Sequence, residues 1–233
     1  MIELQYNVKT KHPLFEAENL LVLDRSLTFR SDEKFQSILK KLAENNKEKG
    51  REWRVHIFLW AFKNALRLEG DLIECGVYRG FSSAVAVRYT EFEKHNRRLL
   101  LFDTWDGIPE NQLDKGRKPI PEYFDPQNHI KVKQRFEKYN NVEIVKGEVP
   151  KVFEYTNMPE KISFLHLDMN SSIAEIGALE VLFDKLEKGA VCILDDFGLQ
   201  IAKEQTKVET EWIKKKGLSI CELPTGQGMF IKV

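Results

Sequence analysis

No apolar run in this chain approaches the ~20 residues that a membrane helix requires, so no membrane span is expected. Cysteine is scarce. Cys75, Cys192 and Cys221 are odd in number and none has zinc spacing. Each lies in or beside an apolar run, which predicts reduced core thiols and a cytoplasmic setting. Net charge is missing too: 36 basic residues balance 36 acidic ones, so no global field draws nucleic acid or an anionic membrane. Met1-Ile-Glu-Leu-Gln-Tyr-Asn-Val8 lacks a basic stretch leading into an apolar one, and no signal peptide is expected. Internal repeats, low-complexity tracts and the G-x-G-x-x-G dinucleotide fingerprint are also absent. What remains, at 233 residues with 42% hydrophobic and 31% charged, is the composition of one globular domain with a large core.

What is present is alternation. Residues 1–30 show no clear period and read as an arm. Ser31 suits a helix N-cap, followed by Phe35, Ile38, Leu39 and Leu42 at helical spacing. A second helix is predicted over about 51–68, with Trp53, Ile57, Trp60, Ala61 and Ala65 on one face. Segment 1–69 is therefore expected to form an arm and helices packed on a core of 70–233. From Asp71 onward, strands predicted at 72–75, 99–102, 142–145, 162–167, 190–194, 218–223 and 229–233 alternate with helical patterns, notably 81–94, 173–186 and 201–216. That order predicts an α/β fold with a mostly parallel sheet covered on both faces. Pro224-Thr-Gly-Gln-Gly228 is too short for a parallel crossover, so the last two strands should pair antiparallel. Residues 106–128 break the rhythm and hold Pro109, Pro119, Pro121 and Pro126. A loop so long, following the second strand, reads as a lid over a ligand or as an inert surface excursion.

The most informative stretch is Asp71-Leu-Ile-Glu-Cys-Gly-Val-Tyr-Arg-Gly-Phe-Ser-Ser83. A strand feeds a glycine turn that aims a helix N-terminus at a ligand. Glu74 would repel a phosphate but suits a ligand with a cationic amino-acid end, such as S-adenosylmethionine. Asp103, ending the second strand, is placed to accept hydrogen bonds from ribose hydroxyls. Trp105 either stacks on an adenine or packs in the lid. Asp168 ends the fourth strand and Asp195-Asp196 the fifth. If those strands are neighbours, three carboxylates converge, and repulsion favours a hard cation such as Mg²⁺. The alternative is that Asp195-Asp196 starts a turn and Asp168 caps a helix. His166 falls on the same strand face as Asp168 and is either a general base or a hydrogen-bonded core histidine. Trp53, Trp60 and Phe62 make the N-terminal helices a candidate self-association surface, although packing on the sheet explains them equally.

These segments resemble the macrocin O-methyltransferase (TylF-type) family of S-adenosylmethionine-dependent sugar methyltransferases. The resemblance runs from about Trp53 to the C-terminus. It is carried by residues 69–80, by Phe-Asp-Thr-Trp-Asp-Gly-Ile-Pro-Glu (102–110), Val-Lys-Gly (145–147), His-Leu-Asp-Met-Asn (166–170) and Leu-Asp-Asp-Phe-Gly (194–198), and by Pro224–Gly228. It implies a Rossmann-like class I methyltransferase fold, a seven-stranded mostly parallel sheet with an antiparallel last strand, plus N-terminal helices. Glu74, Gly76, Tyr78 and Ser82 are then expected around the methionine end of the cofactor, with Asp103 at the ribose and Gly147 and Glu148 near the adenine. A divalent cation is implied on Asp168, Asp195 and Asp196. Two departures stand out. Asn170 replaces an acid, and Ala202 falls near a position where some members carry His or Tyr.

The expected activity is metal-assisted O-methylation of a sugar, glycan or natural-product hydroxyl. Asp168 is the expected proton acceptor and His166 the reserve. The rival expectations are a metal-independent small-molecule methyltransferase and a catalytically silent Rossmann-like assembly module. The partners expected are the small-molecule or glycan acceptor and a second copy of the chain, met through the N-terminal helices.

Overall fold

Leu99-Leu-Leu-Phe102 shows why the sheet lies inside: alternate residues face opposite layers, and both layers are apolar. In the computed structural model, which describes residues 15–17 and 20–233, the expected arm contributes a hairpin of β1 (Phe15–Ala17) and β2 (Leu20–Val22). The rest of that expected arm before residue 15 lies outside the described residues. The main sheet comprises β3 (Asp71–Cys75), β4 (Leu99–Asp103), β5 (Val142–Lys146), β6 (Ile162–Leu167), β7 (Leu186–Leu194), β8 (Cys221–Glu222) and β9 (Gly228–Ile231). Its order is β5-β4-β3-β6-β7-β9-β8. Strands β3 to β7 are parallel, while β9 pairs antiparallel with both β7 and β8. The chain reverses its winding between β3 and β6, the switch point where ligands enter such sheets.

Seven helices accompany the sheet among the described residues: α1 (Glu33–Leu42), α2 (Asn46–Gly50), α3 (Glu52–Ala65), α4 (Phe81–Thr90), α5 (Gln127–Phe136), α6 (Ser172–Leu182) and α7 (Lys203–Lys215). One sheet face packs Leu72, Leu101, Phe164 and Ile193 against Val55, Phe58 and Phe62 of α3 and Val85 of α4. The other packs Ile73, Leu100, Leu165 and Cys192 against Leu179 of α6 and Trp212 of α7. The N-terminal helices thus share the core of the sheet.

Several expectations need correction. The N-cap of α1 is Asp32, one residue beyond Ser31; its Oδ1 accepts from Phe35 N at 2.9 Å and its Oδ2 from the Tyr89 hydroxyl at 2.7 Å. The penultimate strand shrinks from the expected 218–223 to two residues at the sheet edge, so Cys221 is exposed, whereas Cys75 and Cys192 are fully buried. Phe62 is buried in the core, and Trp53 packs on Phe15 and Phe29, which leaves Trp60 as the exposed aromatic of the supposed association surface.

Between α6 and α7, Glu175 and Glu209 are buried. Burial pushes both carboxyls up, and the charge of Glu209 raises Glu175 further. For Glu209 burial raises the value to about 7, against an opposing pull from the neighbouring Glu175 carboxyl and the bond from Gln205. A carboxyl raised in the folded state stabilises fully below its unfolded value near 4.5, and that contribution is lost as pH rises through 7. Between pH 5 and pH 8 the parent should lose about 3 kcal/mol from this source. Glu209→Gln should flatten the slope, read from urea midpoints at the two pH values. Parallel pH profiles for parent and variant would show that the Glu209 carboxyl is not raised by burial.

Candidate active site

Strand alternation assembles the site. On the face turned toward α3 and α4, Glu74 of β3 lies beside His166 of β6 in register, and His166 lies beside Ile193 of β7. Asp195, two residues beyond Ile193, continues that face past the strand end. Beneath this edge a polar chain runs through the interior. The Ser83 hydroxyl donates to Glu74 Oε2. His166 Nδ1 lies 3.0 Å from Glu74 Oε1 and its Nε2 3.4 Å from Asp195 Oδ1. Burial alone would lower the imidazole, yet its hydrogen bonds to Asp195 and Glu74 push it up to about 10. Both ring nitrogens face carboxylates. The expected reserve role of His166 as a base competes with these two contacts.

The acidic cluster is real: one carboxylate oxygen each from Asp168, Asp195 and Asp196 lies within 4.8 Å of the others. Three arginines flank it, none foreseen as its counter-charge. Arg54 Nη1 donates to Asp195 Oδ2 at 2.6 Å and to its backbone carbonyl at 2.7 Å. Arg51 stands 3.5 Å from Asp195 and 3.9 Å from Asp168, and Arg117 stands 3.7 Å from Asp196. Gln227 Nε2 donates to Asp195 Oδ1 at 2.7 Å. The consequences differ sharply by residue. Burial works against ionising Asp195, but Arg54, His166 and Arg51 hold its carboxyl well below the usual range. Burial and the neighbouring aspartates push Asp168 well above it, and burial with Asp195 raises Asp196. The arginines satisfy one aspartate and leave two under-compensated.

A cavity of about 460 Å³ opens over the ends of β3, β4 and β6. Glu74, Gly76, Tyr78, Ser82, Asp103, Trp105, Gly147 and Asp168 line it. Gly76 takes φ +88°, and a Cβ there would stand 2.0 Å from the Asp168 carbonyl oxygen. Tyr78, Trp105 and Asn170 also hold positive φ angles of 51°, 47° and 56°, a concentration of backbone strain typical of ligand-binding edges. The N-cap of α4 is Gly80, without a side-chain cap, so the first turn presents its N–H groups.

Segment 106–128 covers this cavity through Gly107, Ile108, Pro109, Gln112, Glu122 and Tyr123. Its anchors are polar. Gln112 Nε2 donates to the Val149 carbonyl at 2.7 Å, and Asp114 accepts from Ser172 N at 3.0 Å. Arg117 donates to Asn170 Oδ1. Asn170, where an acid was the family expectation, thus ties the covering segment to the acidic cluster.

Three expected site residues have partners within the protein. Asp103 Oδ2 accepts from Val77 N and Tyr78 N, both at 2.8 Å, and its Oδ1 from Trp105 N at 2.8 Å. Its carboxylate knits the loop together and keeps about one of four acceptor positions for a ribose hydroxyl. Trp105 packs: the indole N–H donates to the Tyr78 carbonyl at 2.8 Å, and the ring stacks on His129 at 4.3 Å between centroids. Glu148 is not among the cavity residues; it accepts from Gln112 Nε2 at 3.2 Å. The residues missed were Ser83, Arg51, Arg54, Gln112 and Gln227. Arg51 and Arg54 had one visible signal, two cations three apart at the start of a helix whose next turns are apolar.

A family model described as macrocin O-methyltransferase (TylF) matches residues 61–218. No curated protein matches the chain in sequence. Among solved structures, the fold is similar to the O-methyltransferase NovP, with TM-score 0.60, 18% identity and coverage of 77% of this chain and 79% of that one. It is also similar to the calicheamicin methyltransferase CalS11, with TM-score 0.59, 15% identity and coverage of 93% and 97%. A third is the SAH-bound methyltransferase PaMTH1 of Podospora anserina, with TM-score 0.58, 12% identity and coverage of 86% and 88%.

Proposed function

Because this chain belongs to the macrocin O-methyltransferase (TylF) family, we propose that its cavity holds S-adenosylmethionine and that a divalent cation assists methylation of a sugar hydroxyl. As a family member it is an S-adenosylmethionine-dependent O-methyltransferase. CalS11 is described as a TDP-rhamnose 3′-O-methyltransferase, and a ring with vicinal hydroxyls is the acceptor class proposed here. Cytoplasmic residence and self-association belong to the same proposal.

The observation that carries the metal reading is the convergence of Asp168, Asp195 and Asp196, each with a carboxylate oxygen within 4.8 Å of the others. Asp168 and Asp196 remain unfavourably charged despite three nearby guanidinia, and their all-oxygen donor set suits Mg²⁺, Ca²⁺ or Mn²⁺. The residues present fit the ion. Held by Asp168, Asp195 and Asp196, the cation would supply Lewis acidity that lowers the pKa of a bound hydroxyl. The chain's own residues do the rest. Glu74 sits where the cationic end of the cofactor is expected, and its carboxylate is fixed by Ser83 and His166. Asp168 lines the cavity, where its carboxylate is placed to take the proton an attacking hydroxyl releases. Tyr123, edge-on to Tyr78 at 5.5 Å between ring centroids, closes the cavity from the covering segment. Segment 106–128 then acts as the lid that excludes water and selects the acceptor.

The test follows S-adenosylhomocysteine formation over a panel of free and nucleotide-activated deoxysugars, with Mg²⁺ or with chelator. In the joint Asp195→Ala, Asp196→Ala variant, kcat should fall roughly a hundredfold, the several kcal/mol a Lewis acid supplies, and chelator should silence the parent. A chelator-insensitive parent together with full activity in the variant would leave the metal reading untenable. If S-adenosylhomocysteine gives no heat of binding in calorimetry, the assembly-module alternative prevails.

A further inference from the structure

The polar chain beneath the cavity joins two sites that the proposed function treats separately. Beginning at α4, Ser83 donates to Glu74, Glu74 bonds His166 Nδ1, and His166 Nε2 faces Asp195 Oδ1. Gln227 donates to the same Asp195 oxygen at 2.7 Å, and the Thr225 hydroxyl fixes the Gln227 amide oxygen at 2.9 Å. All but Thr225 are buried to 3% exposure or less, and Thr225 is at 9%. Edge-on contact from Phe58 at 4.9 Å holds the imidazole in the plane that reaches both carboxylates. The chain crosses β3, β6 and β7 and ends in the turn before β9. Glu74 lines the cofactor cavity, whereas Asp195 belongs to the acidic cluster.

We infer that His166 is a positioning residue that couples cofactor binding to cation binding through a rigid Glu74–His166–Asp195 strut. A buried hydrogen-bonded chain has few alternative arrangements, because any slackening strands a charged group away from water. Ordering Glu74 around a ligand therefore orders Asp195 as well, and the second ligand meets a site already fixed. Such coupling is positive and reciprocal: each ligand must tighten the other by the same factor. The inference rests on the cation reading above, and its test separates the two.

Calorimetric titration of S-adenosylhomocysteine with and without saturating Mn²⁺, and Mn²⁺ titration followed by electron paramagnetic resonance with and without S-adenosylhomocysteine, measure the factor from both sides. The parent should show about fivefold mutual tightening or more, the low end of typical couplings. In His166→Gln each ligand should still bind alone, while the factor falls below about twofold. Two bound ligands with no mutual effect in the parent, or an undiminished factor in the variant, would overturn the coupling alone. If the parent fails to bind Mn²⁺ at all, the cation reading falls and the coupling falls with it. Should the variant fail to fold, ¹⁵N resonances of the parent's His166 decide. Mg²⁺ should shift the nitrogen facing Glu74, and S-adenosylhomocysteine the nitrogen facing Asp195. Shifts confined to the nearer nitrogen would refute the strut.

Discussion

Gly76→Ala should abolish S-adenosylhomocysteine binding and destabilise the chain by about 4 kcal/mol, combining backbone strain with overpacking. The added Cβ would stand 2.0 Å from the Asp168 carbonyl oxygen and 2.4 Å from its carbon, both backbone atoms that no rotamer change can move. At φ +88° an alanine is strained whatever the space. Relief requires β3 and β6 to splay just where Gly76 N donates to the Phe102 carbonyl at 2.8 Å and Asp168 N to the Cys75 carbonyl at 2.8 Å. That displacement separates Glu74 from Asp168, so the cofactor pocket and the acidic cluster fail together. Gly116→Ala is the control: its φ is +82°, but nothing lies within 4 Å of the new atom. There the cost should be about 1 kcal/mol of strain with binding intact. Urea denaturation and calorimetry on the two variants make the comparison. Equal losses would mean that strain alone, and not the approach of β6, governs the position.

Sequence periodicity made the convergence of Glu74, Asp103, Asp168 and the Asp195-Asp196 pair legible, because a strand end is a local property. Apolar runs located the strands, the acids ended them, and parallel pairing of β3, β4, β6 and β7 carried all four ends to one edge. What compensates those acids was not legible. Arg54 reaches Asp195 across 141 residues of chain and Gln227 across 32, and no spacing rule links positions brought together by helix docking. Asp103 was found, but its partners in the loop were not. Its three backbone partners arise from the positive-φ turns at Tyr78 and Trp105, which side-chain pattern does not reveal. Helix α5 escaped notice for a different reason. It begins directly after the proline-rich segment, and few of its residues are buried, Val132 and Phe136 chief among the apolar ones.

Arg54→Met should cost about 3–5 kcal/mol, the usual effect of removing one partner from a buried ion pair. Arg54 and Asp195 are both almost wholly inaccessible, and methionine restores the packing of the stem without the charge. Asp195 would then face Asp168 and Asp196 with less opposing charge from the chain itself. A divalent cation on the cluster would replace what the guanidinium supplied. Mg²⁺ should therefore raise the melting temperature of the variant more than that of the parent, since native-state binding stabilises by mass action. For a chain of this size, about 2–4 °C per kcal/mol puts the variant roughly 10 °C below the parent without the ion. Melting curves in MgCl₂ and in KCl at matched ionic strength isolate the specific effect. An equal response of both proteins to Mg²⁺ would place the ion away from the three aspartates. A loss under about 1 kcal/mol would mean that Gln227, His166 and Arg51 hold Asp195 without Arg54.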